Sequence, residues 1–490
     1  MKSLSEFPDA ALRIFERPPA PASGDLNSVY LIGICGTGMG SLAGLFHEAG
    51  YKVTGADAHV YPPMSTRLAE MGIDVRQGFE AAHLCPAPDL VIVGNACTPS
   101  HPEATFAREN GLSQQSFPEA LAHYFIRDRR SLVVAGTHGK TTTTSMLIHV
   151  LRSAGLDPGF LVGGVMQGYA TSYSVGSGPH FVVEGDEYDS AYFDKRPKFM
   201  LYRPSSAIIT SMEFDHADIY ADWNDYREAF RAFAHLVPAG GLLVLCSDAP
   251  EVMDLMHYTE ARVRTYGLNP GTDVTAVDVR ADEQGQSFTL VASDMTPVEM
   301  RLPMSGRHNL LNALAVATVA LDEGITPEKL AQGLGSFLGI KRRQEVRGEA
   351  GGVLVVDDFA HHPTAVRETI RAARERWPKR RLVAVFEPRS NTSRRKVFEH
   401  GYSTAFDDAD LAFLSAPPFR HNDKPGDFMN MDAVTRNLNE RGVPAAVQRG
   451  AEVLLPELLA VIRPGDVALI MSNGGFGGLH EKLLATLSSR

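Results

Sequence analysis

Cysteine is scarce in this chain: four residues in 490, Cys35, Cys85, Cys97 and Cys246, with no pair in C-x-x-C spacing. That excludes a disulfide framework and a cysteine-based zinc site, and fits small buried residues in a reducing compartment. No apolar run reaches the roughly 20 residues that span a bilayer. Residues 1–25 mix acidic, basic and proline residues and lack the apolar core of a secretory signal. Positive charge is also short, since 47 Lys and Arg against 58 Asp and Glu leave a net −11. A general affinity for nucleic acid or anionic membranes is therefore not expected, although one site can still be locally basic. No internal repeat or low-complexity tract is present. The expectation is a cytoplasmic protein acting on small molecules, with no nucleic acid, no membrane and no obligatory protein partner.

What is present is an ordinary globular composition, 44% hydrophobic and 21% charged, in a chain too long for one hydrophobic core. Its centre is residues 131–145, SLVVAGTHGKTTTTS. A β-branched apolar run leads into Gly136, Thr137, His138, Gly139, Lys140 and Thr141, and helix-compatible residues follow. Strand, glycine loop and helix make a phosphate cradle: glycines let backbone N–H groups approach, and the helix N-terminus adds positive potential. Lys140 supplies a point charge for the β/γ-phosphates and the Thr141 hydroxyl a ligand for Mg²⁺. Val134 stands where the longer G-x-x-x-x-G-K-[ST] form has its first glycine, so the pattern is the shorter G-x-x-G-K-T. An ordinary strand-to-helix turn is the alternative; Lys140 and the threonines at 141–144 (Thr142 among them) weigh against it. The stretch reads as an ATP site.

Three α/β domains are expected, with boundaries 1–126, 127–338 and 339–490 and an N-terminal extension at 1–25. In the first, residues 28–34 read as a buried parallel strand followed by Gly36, Thr37, Gly38, Met39 and Gly40, a helix ending near Gly50, and a strand at 51–54 with Asp57 just beyond. An acidic residue about 20 positions after the glycines is where a Rossmann domain places its ribose ligand. The glycines equally suit plain helix–strand packing. A strand at 90–93 ends at Asn95, and a helix at 117–130 closes the domain. In the second, strands at 181–183 and 207–210 end in acidic groups, EGDE and EFDH, where open α/β sheets bind ligands. Residues 286–291 and 298–302 alternate and suggest an antiparallel appendage, and an Ala-rich helix opens at residues 306–312. In the third, strands at 353–356, 381–386, 411–414 and 466–471 precede polar loops, among them DDFAHHP, EPRSN and SNGGFGG.

Several of these residues carry chemistry. Mg²⁺ takes hard oxygen ligands, which Glu184, Asp186 and Glu187 can supply unless they form a solvated turn. His216 is either a satisfied histidine or a ligand at a strand end. His308 and Asn309 could cap a helix or read an adenine edge. Asp358, His361 and His362 could be an Asp-capped helix start before Pro363. Arg342, Arg343 and Arg389 could be solvated charges, but each sits beside a turn near an expected cleft and suits bidentate recognition of carboxylate or phosphate. A phosphate loop with metal acids and a second nucleotide-like domain fits phosphoryl transfer to an acceptor bound elsewhere.

In this order, GTHGKTTTTSML, EGDEYD, EFDHAD, GRHNLLNALA, KRRQE and DDFAHHP resemble the signature set of the Mur ligase superfamily, from about residue 28 to 484. The resemblance implies a UDP-sugar domain, a central P-loop ATPase with a parallel sheet, and a C-terminal Rossmann-like domain. It implies an ATP- and Mg²⁺-dependent amide ligase that phosphorylates the lactyl carboxylate of UDP-N-acetylmuramate and passes the acyl group to an amine. VYPPMST, FDKRPKF, EPRSNT and MSNGGFGGLH are similar to the branch taking L-Ala-γ-D-Glu-meso-diaminopimelate in cell-wall recycling. The L-alanine-adding branch and a non-catalytic UDP-sugar-binding regulator are the rivals. Carried over, Lys140, Glu184 and His216 are the catalytic set, and Thr141, Glu184 and His216 hold metal. Gly136–Gly139, Thr142, His308, Asn309, Asn312, Arg343 and Asp358 would surround ATP. Gly36, Thr37, Gly38, Met39, Asp57 and Asn95 would hold the UDP-sugar. Arg389, Ser390, Asn391, Asn473, Gly474 and Gly475 are the tripeptide candidates, with His362 also on the substrate side. Several relatives use a carbamylated lysine about fifteen positions after the metal histidine; residues 227–233, REAFRAF, contain none.

Overall fold

The computed structural model describes residues 15–215, 219–293, 295–390, 392–417 and 425–489. Three parallel-dominated sheets follow one another along the chain. The first contains β1 (Ser28–Ile32), β2 (Lys52–Asp57), β3 (Asp74–Gln77), β4 (Leu90–Val93) and β5 (Gln114–Ser116) in the order β3-β2-β1-β4-β5, parallel throughout. Val29 to Ile32 are all buried, the unbroken apolar pattern of a strand covered on both faces. The strand order reverses beside β1, which opens a crevice between the loops after β1 and β4. Gly36 ends the first of these loops as the N-cap of the helix Thr37–Glu48, whose first turn holds Thr37, Gly38 and Met39, and Asn95 lies in the second.

The central sheet has β6 (Arg130–Ala135), β7 (Gly159–Leu161), β8 (Tyr173–Ser174), β9 (His180–Gly185), β12 (Ser206–Ile209), β13 (Leu242–Cys246), β14 (Arg262–Tyr266), β15 (Val274–Asp282), β16 (Gly285–Ala292) and β17 (Val298–Leu302), with β10 (Asp189–Ala191) and β11 (Asp194–Pro197) as a separate hairpin. Its order is β17-β16-β15-β14-β13-β12-β6-β9-β7-β8. The antiparallel appendage is there, with β15 as a third strand that sequence patterning lacks: its outer half, residues 278–282, is exposed and shows no alternation. β9 lies directly against β6, with Glu184 in register with Val134. That register sets a carboxylate beside the end of the strand that launches the phosphate loop.

The third sheet is β18 (Glu345–Ala350), β19 (Val353–Asp358), β20 (Arg381–Glu387), β21 (Leu411–Ser415), β22 (Ala445–Gln448) and β23 (Asp466–Ser472), ordered β18-β19-β23-β20-β21-β22. Only β18 runs antiparallel. Because β20 and β23 are neighbours, with Glu387 opposite Ser472, the loops after them meet. Separate apolar clusters cover the two faces of this sheet, whereas one continuous cluster runs from Leu26 to Ile340 and joins the first two sheets. No helix among the described residues is long and apolar enough to cross a membrane.

The expected helix at 117–130 is short: Phe117–Leu121, opened by a Ser116/Glu119 capping box, passes into a π-turn at Ala122–Ile126. The extension is tied down from Phe15 onward. Phe15 packs on Tyr192 and Phe193, and Arg17 forms a two-pronged ion pair with Glu119 at 2.8 and 3.0 Å. On the helix Thr37–Glu48, a Cβ at Gly44 would overlap the Tyr173 ring of the central sheet, whose hydroxyl donates to Met71 Sδ at 3.0 Å. Gly44→Ala should therefore destabilise, because overpacking at about 1–3 kcal/mol outweighs the roughly 1 kcal/mol helix gain of Ala over Gly. A chemical-denaturation midpoint lower than wild type is expected; an increase would show that Tyr173 swings away freely.

Candidate active site

The phosphate loop owes its shape to two glycines. Gly136 and Gly139 have φ of +130° and +81°. A Cβ on Gly136 would overlap Thr210 Oγ1, and one on Gly139 would stand 2.6 Å from Asn312 Oδ1. Neither position tolerates a side chain. Thr137 Oγ1 donates to the Glu213 carbonyl at 3.0 Å, and the His138 N–H donates to Ser211 Oγ at 2.9 Å. The helix Lys140–Ser153 begins without a side-chain cap, which leaves its first N–H groups for an anion.

Lys140 is held by what surrounds it. Its ammonium donates to the Gly136 carbonyl at 2.6 Å and to Glu187 Oε1 at 3.0 Å, and Glu187 is fully buried. Burial opposes the lysine's charge, but Glu187, Asp186 and Glu184 outweigh it and hold the ammonium above its ordinary pKa. Asp186 pairs with Lys198 at 2.6 Å; burial works to raise its pKa, yet Lys198 and Lys140 bring it down to about 2. Asp189 binds Asn95 Nδ2 at 3.0 Å and Lys195 at 2.5 Å. The acidic run after β9 is thus a set of paired groups, not a solvated turn.

Glu184 accepts the Gly163 N–H at 2.9 Å and a bond from the Thr141 side chain. Burial raises its pKa in spite of that N–H, Lys140 and Thr141. A hydroxyl and a half-buried carboxylate in contact are a hard-oxygen pair of the kind Mg²⁺ takes, and a dication there would relieve the partly desolvated charge. His216 and Asn391 lie outside the described residues.

A cavity of about 710 Å³ opens over the loop, lined by residues 137–142 and by His308, Asn309, Asn312, Arg343, Asp358 and His362. The phosphate loop and the start of the third sheet, far apart in sequence, close here. Neither His308 nor Asn309 caps its helix, whose N-cap is Gly306. Asn309 Nδ2 donates to the Ser305 carbonyl at 2.8 Å, and Asn312 Nδ2 stands 3.5 Å from Asn309 Oδ1. His308 is pushed down to about 4 by burial, so its imidazole is neutral, and its Nδ1 is buried without a partner among the described residues. Such an orphan fits a ligand-facing group. Arg343 is buried enough to lower its pKa although Asp358 and Glu184 face it. Asp358 accepts the N–H groups of Gln344 and Ala360 at 2.8 and 2.7 Å. The cap of the helix Pro363–Arg376 is His362, not Asp358.

The other expected sites form two further groups. Asp57 Oδ2 accepts the Cys35 N–H at 2.9 Å and so braces the glycine loop of the first sheet; Asn95 Oδ1 is buried without a partner across the crevice. In the third sheet Arg389 lies across Gly474, with no room left for a Cβ there. Ser390 accepts the Ser393 N–H at 2.9 Å, and Asn473 Oδ1 is another buried orphan. None of these lines the central cavity.

Sequence reasoning missed Gln344 and did not foresee the partners of Arg342 and Glu213. Gln344 ties the sheets together: its N–H goes to Asp358, and its amide reaches the Ser305 carbonyl and His308 Nε2, both at 3.3 Å. Arg342 Nη2 donates to the carbonyls of Ser472 and Gly474 at 2.5 and 2.6 Å, bracing the loop beneath Arg389. Positive φ at Arg342 and Gln344 aims these neighbours in different directions, and KRRQE gives no sign of that. Glu213 turns to His138 and Thr364.

These three sheets, with a phosphate loop in the middle one, match three family descriptions in chain order. They are "Mur ligase family, catalytic domain" over residues 28–129, "Mur ligase middle domain" over 134–320 and "Mur ligase, glutamate ligase domain" over 342–474. The chain belongs to the Mur ligase family. Among its relatives is the UDP-N-acetylmuramate–L-alanyl-γ-D-glutamyl-meso-2,6-diaminoheptandioate ligase of Escherichia coli (strain K12), 38% identical over 94% of this chain and 98% of that protein. The enzyme of the same name from Haemophilus influenzae is also 38% identical, over 94% and 99%. A crystal structure of a murein peptide ligase from Psychrobacter arcticus superposes with a TM-score of 0.70 at 34% identity, covering 95% of this chain and 99% of that one. The UDP-N-acetylmuramate–alanine ligase of Thermotoga maritima has a TM-score of 0.75 at 24% identity over 94% and 99%, a likeness of fold.

Removing one partner of a buried ion pair strands the other charge, at about 3–5 kcal/mol. Glu187→Ala should lose stability of that order in chemical denaturation, and Glu187→Gln less, since it retains an acceptor for Lys140. Wild-type stability in both variants would mean that Lys140 does not depend on Glu187.

Proposed function

We propose that the protein is an ATP-dependent ligase joining UDP-N-acetylmuramate to the tripeptide L-Ala-γ-D-Glu-meso-diaminopimelate, acting in the cytoplasm in cell-wall recycling. The observation that carries this reading is one cavity shared by Lys140, Thr141, His308, Arg343 and Asp358 in a chain 38% identical to ligases of that name. The glycine loop at 36–39 with Asn95 would take the UDP-sugar, and Arg389, Ser390 and the 473–475 loop the peptide.

A carboxylate is a poor electrophile, so it is first given a leaving group. A lactyl carboxylate oxygen attacks the γ-phosphorus of ATP; the O–P bond forms as the bond to the β-phosphate oxygen breaks, and ADP departs. The peptide amine then attacks the acyl carbon, the C–O bond to phosphate breaks with its electron pair, and the amine loses a proton. Lys140 and Arg343 place positive charge where the transferring phosphoryl group spreads its negative charge. Thr141 and Glu184 would hold Mg²⁺, which when bound neutralises phosphate charge. Holding three reactants together replaces encounter by arrangement, worth about 7–11 kcal/mol at best. Because cavity walls come from two sheets, closure of the third domain over ATP belongs to the cycle.

Mass detection of product from a panel of amine acceptors tests this. Tripeptide should be joined in strong preference to L-alanine; preference for L-alanine would assign the sister reaction. Lys140→Ala should lower kcat by about 10²–10³-fold. Arg389→Ala should raise the KM for tripeptide by about tenfold or more, the loss of one charged hydrogen bond, with smaller effects on ATP and UDP-sugar. Equal effects on all three would move Arg389 out of the peptide site.

A further inference from the structure

Three donor groups outside the Thr141–Glu184 pair converge on one point at the rim of the cavity. They are the imidazoles of His138 and His362 and the carboxylate of Glu213, whose ligating atoms all lie within 4.8 Å of one another. His138 Nε2 is 3.2 Å, and His362 Nδ1 3.5 Å, from the same oxygen, Glu213 Oε2. Donor atoms around a tetrahedral zinc with bonds of about 2.0–2.1 Å stand about 3.4 Å apart, so two of the three edges already have the required length. The groups come from separate elements: the phosphate loop, the loop after β12, and the N-cap of the helix Pro363–Arg376.

His362 Nδ1 has one in-plane lone pair, which the Thr364 N–H holds only through a long 3.3 Å contact, so ligation of a cation beside Glu213 Oε2 would replace that weak cap bond. Neutral imidazole and ionised carboxylate are the forms that ligate, so metal binding would release any proton shared between the two imidazoles and Glu213.

We infer that His138, Glu213 and His362 form a binding site for a borderline transition-metal dication such as Zn²⁺ or Co²⁺. The site is distinct from the Mg²⁺ pair and fastens the third domain to the phosphate loop. Two imidazoles and one carboxylate favour such ions over Mg²⁺, which prefers oxygen and retains its water. Three protein ligands leave a fourth position open, and all three residues line the nucleotide cavity, so that position is available to water or a phosphate oxygen.

The test is Zn²⁺ titration of the nucleotide-free, Mg²⁺-free full chain against a chromogenic chelator, with Co²⁺ absorption as a second readout. Wild type should retain about one Zn²⁺ and give the visible Co²⁺ bands of a four-coordinate site. His362→Ala and Glu213→Gln should each weaken Zn²⁺ by more than about tenfold, the loss that even outer-shell partners cause. Glu184→Gln should leave Zn²⁺ affinity unchanged. Far-UV circular dichroism checks folding; if His362→Ala unfolds, the near-isosteric Glu213→Gln carries the test. No Zn²⁺ retained by wild type, equal affinity in the folded ligand variants, or loss in Glu184→Gln would overturn the site.

Discussion

The constraint on which this structure turns is a lysine ammonium kept charged inside the protein. Withdrawing Lys140 and Glu187 from water is costly, and a buried ion pair is often no more stable than well-packed apolar side chains. The arrangement makes sense when the cation is needed for something else. Three carboxylates, at 184, 186 and 187, keep the proton on Lys140, and the Gly136 carbonyl fixes its direction. Under the proposed function, a triphosphate would meet a charge that needs no reorganisation, the condition under which electrostatic stabilisation is strongest.

The sheets around it repeat one solution. Each is mainly parallel, so each gathers its loops at the carboxyl ends of its strands, where α/β folds bind ligands. In the first, β1 and β4 set the glycine loop and Asn95 across a crevice. In the third, β20 and β23 bring Arg389 to Gly474. The central sheet does the same with β6 and β9, and Gln344 and Arg343 reach back to it from the start of the third domain. Asn95 and Asp189 join the first two units, and Thr364 and Glu213 the last two, at 2.8 Å. The proposed function assigns one reactant to each of these three edges.

Sequence was informative where the cause is local. Leu90–Val93 and Val298–Leu302 were delimited to the residue, because an apolar run and a strict alternation bounded by turn formers need no distant partner. The phosphate loop, Glu184 and the Arg307–Asp322 helix start were legible for the same reason. β3 and β5 escaped notice because short strands with few apolar residues carry no period. β15 escaped because its outer half is solvated. The role of Glu213 depends on Thr364, 151 positions away, and that of Gln344 on left-handed backbone that its motif does not signal. His362 as helix cap, in place of Asp358, likewise depended on the third sheet drawing Asp358 to the N–H groups of Gln344 and Ala360.

The charge at Lys140 has one proposed use: to help hand a phosphoryl group to a carboxylate held on the first domain. The most direct measurement follows oxygen atoms through turnover, with oxygen-18 in the lactyl carboxylate of UDP-N-acetylmuramate, ATP and tripeptide present, and mass analysis of the released phosphate. One labelled oxygen in each phosphate is expected, because the oxygen that attacked phosphorus leaves with it. Unlabelled phosphate formed together with product would contradict activation through an acyl phosphate.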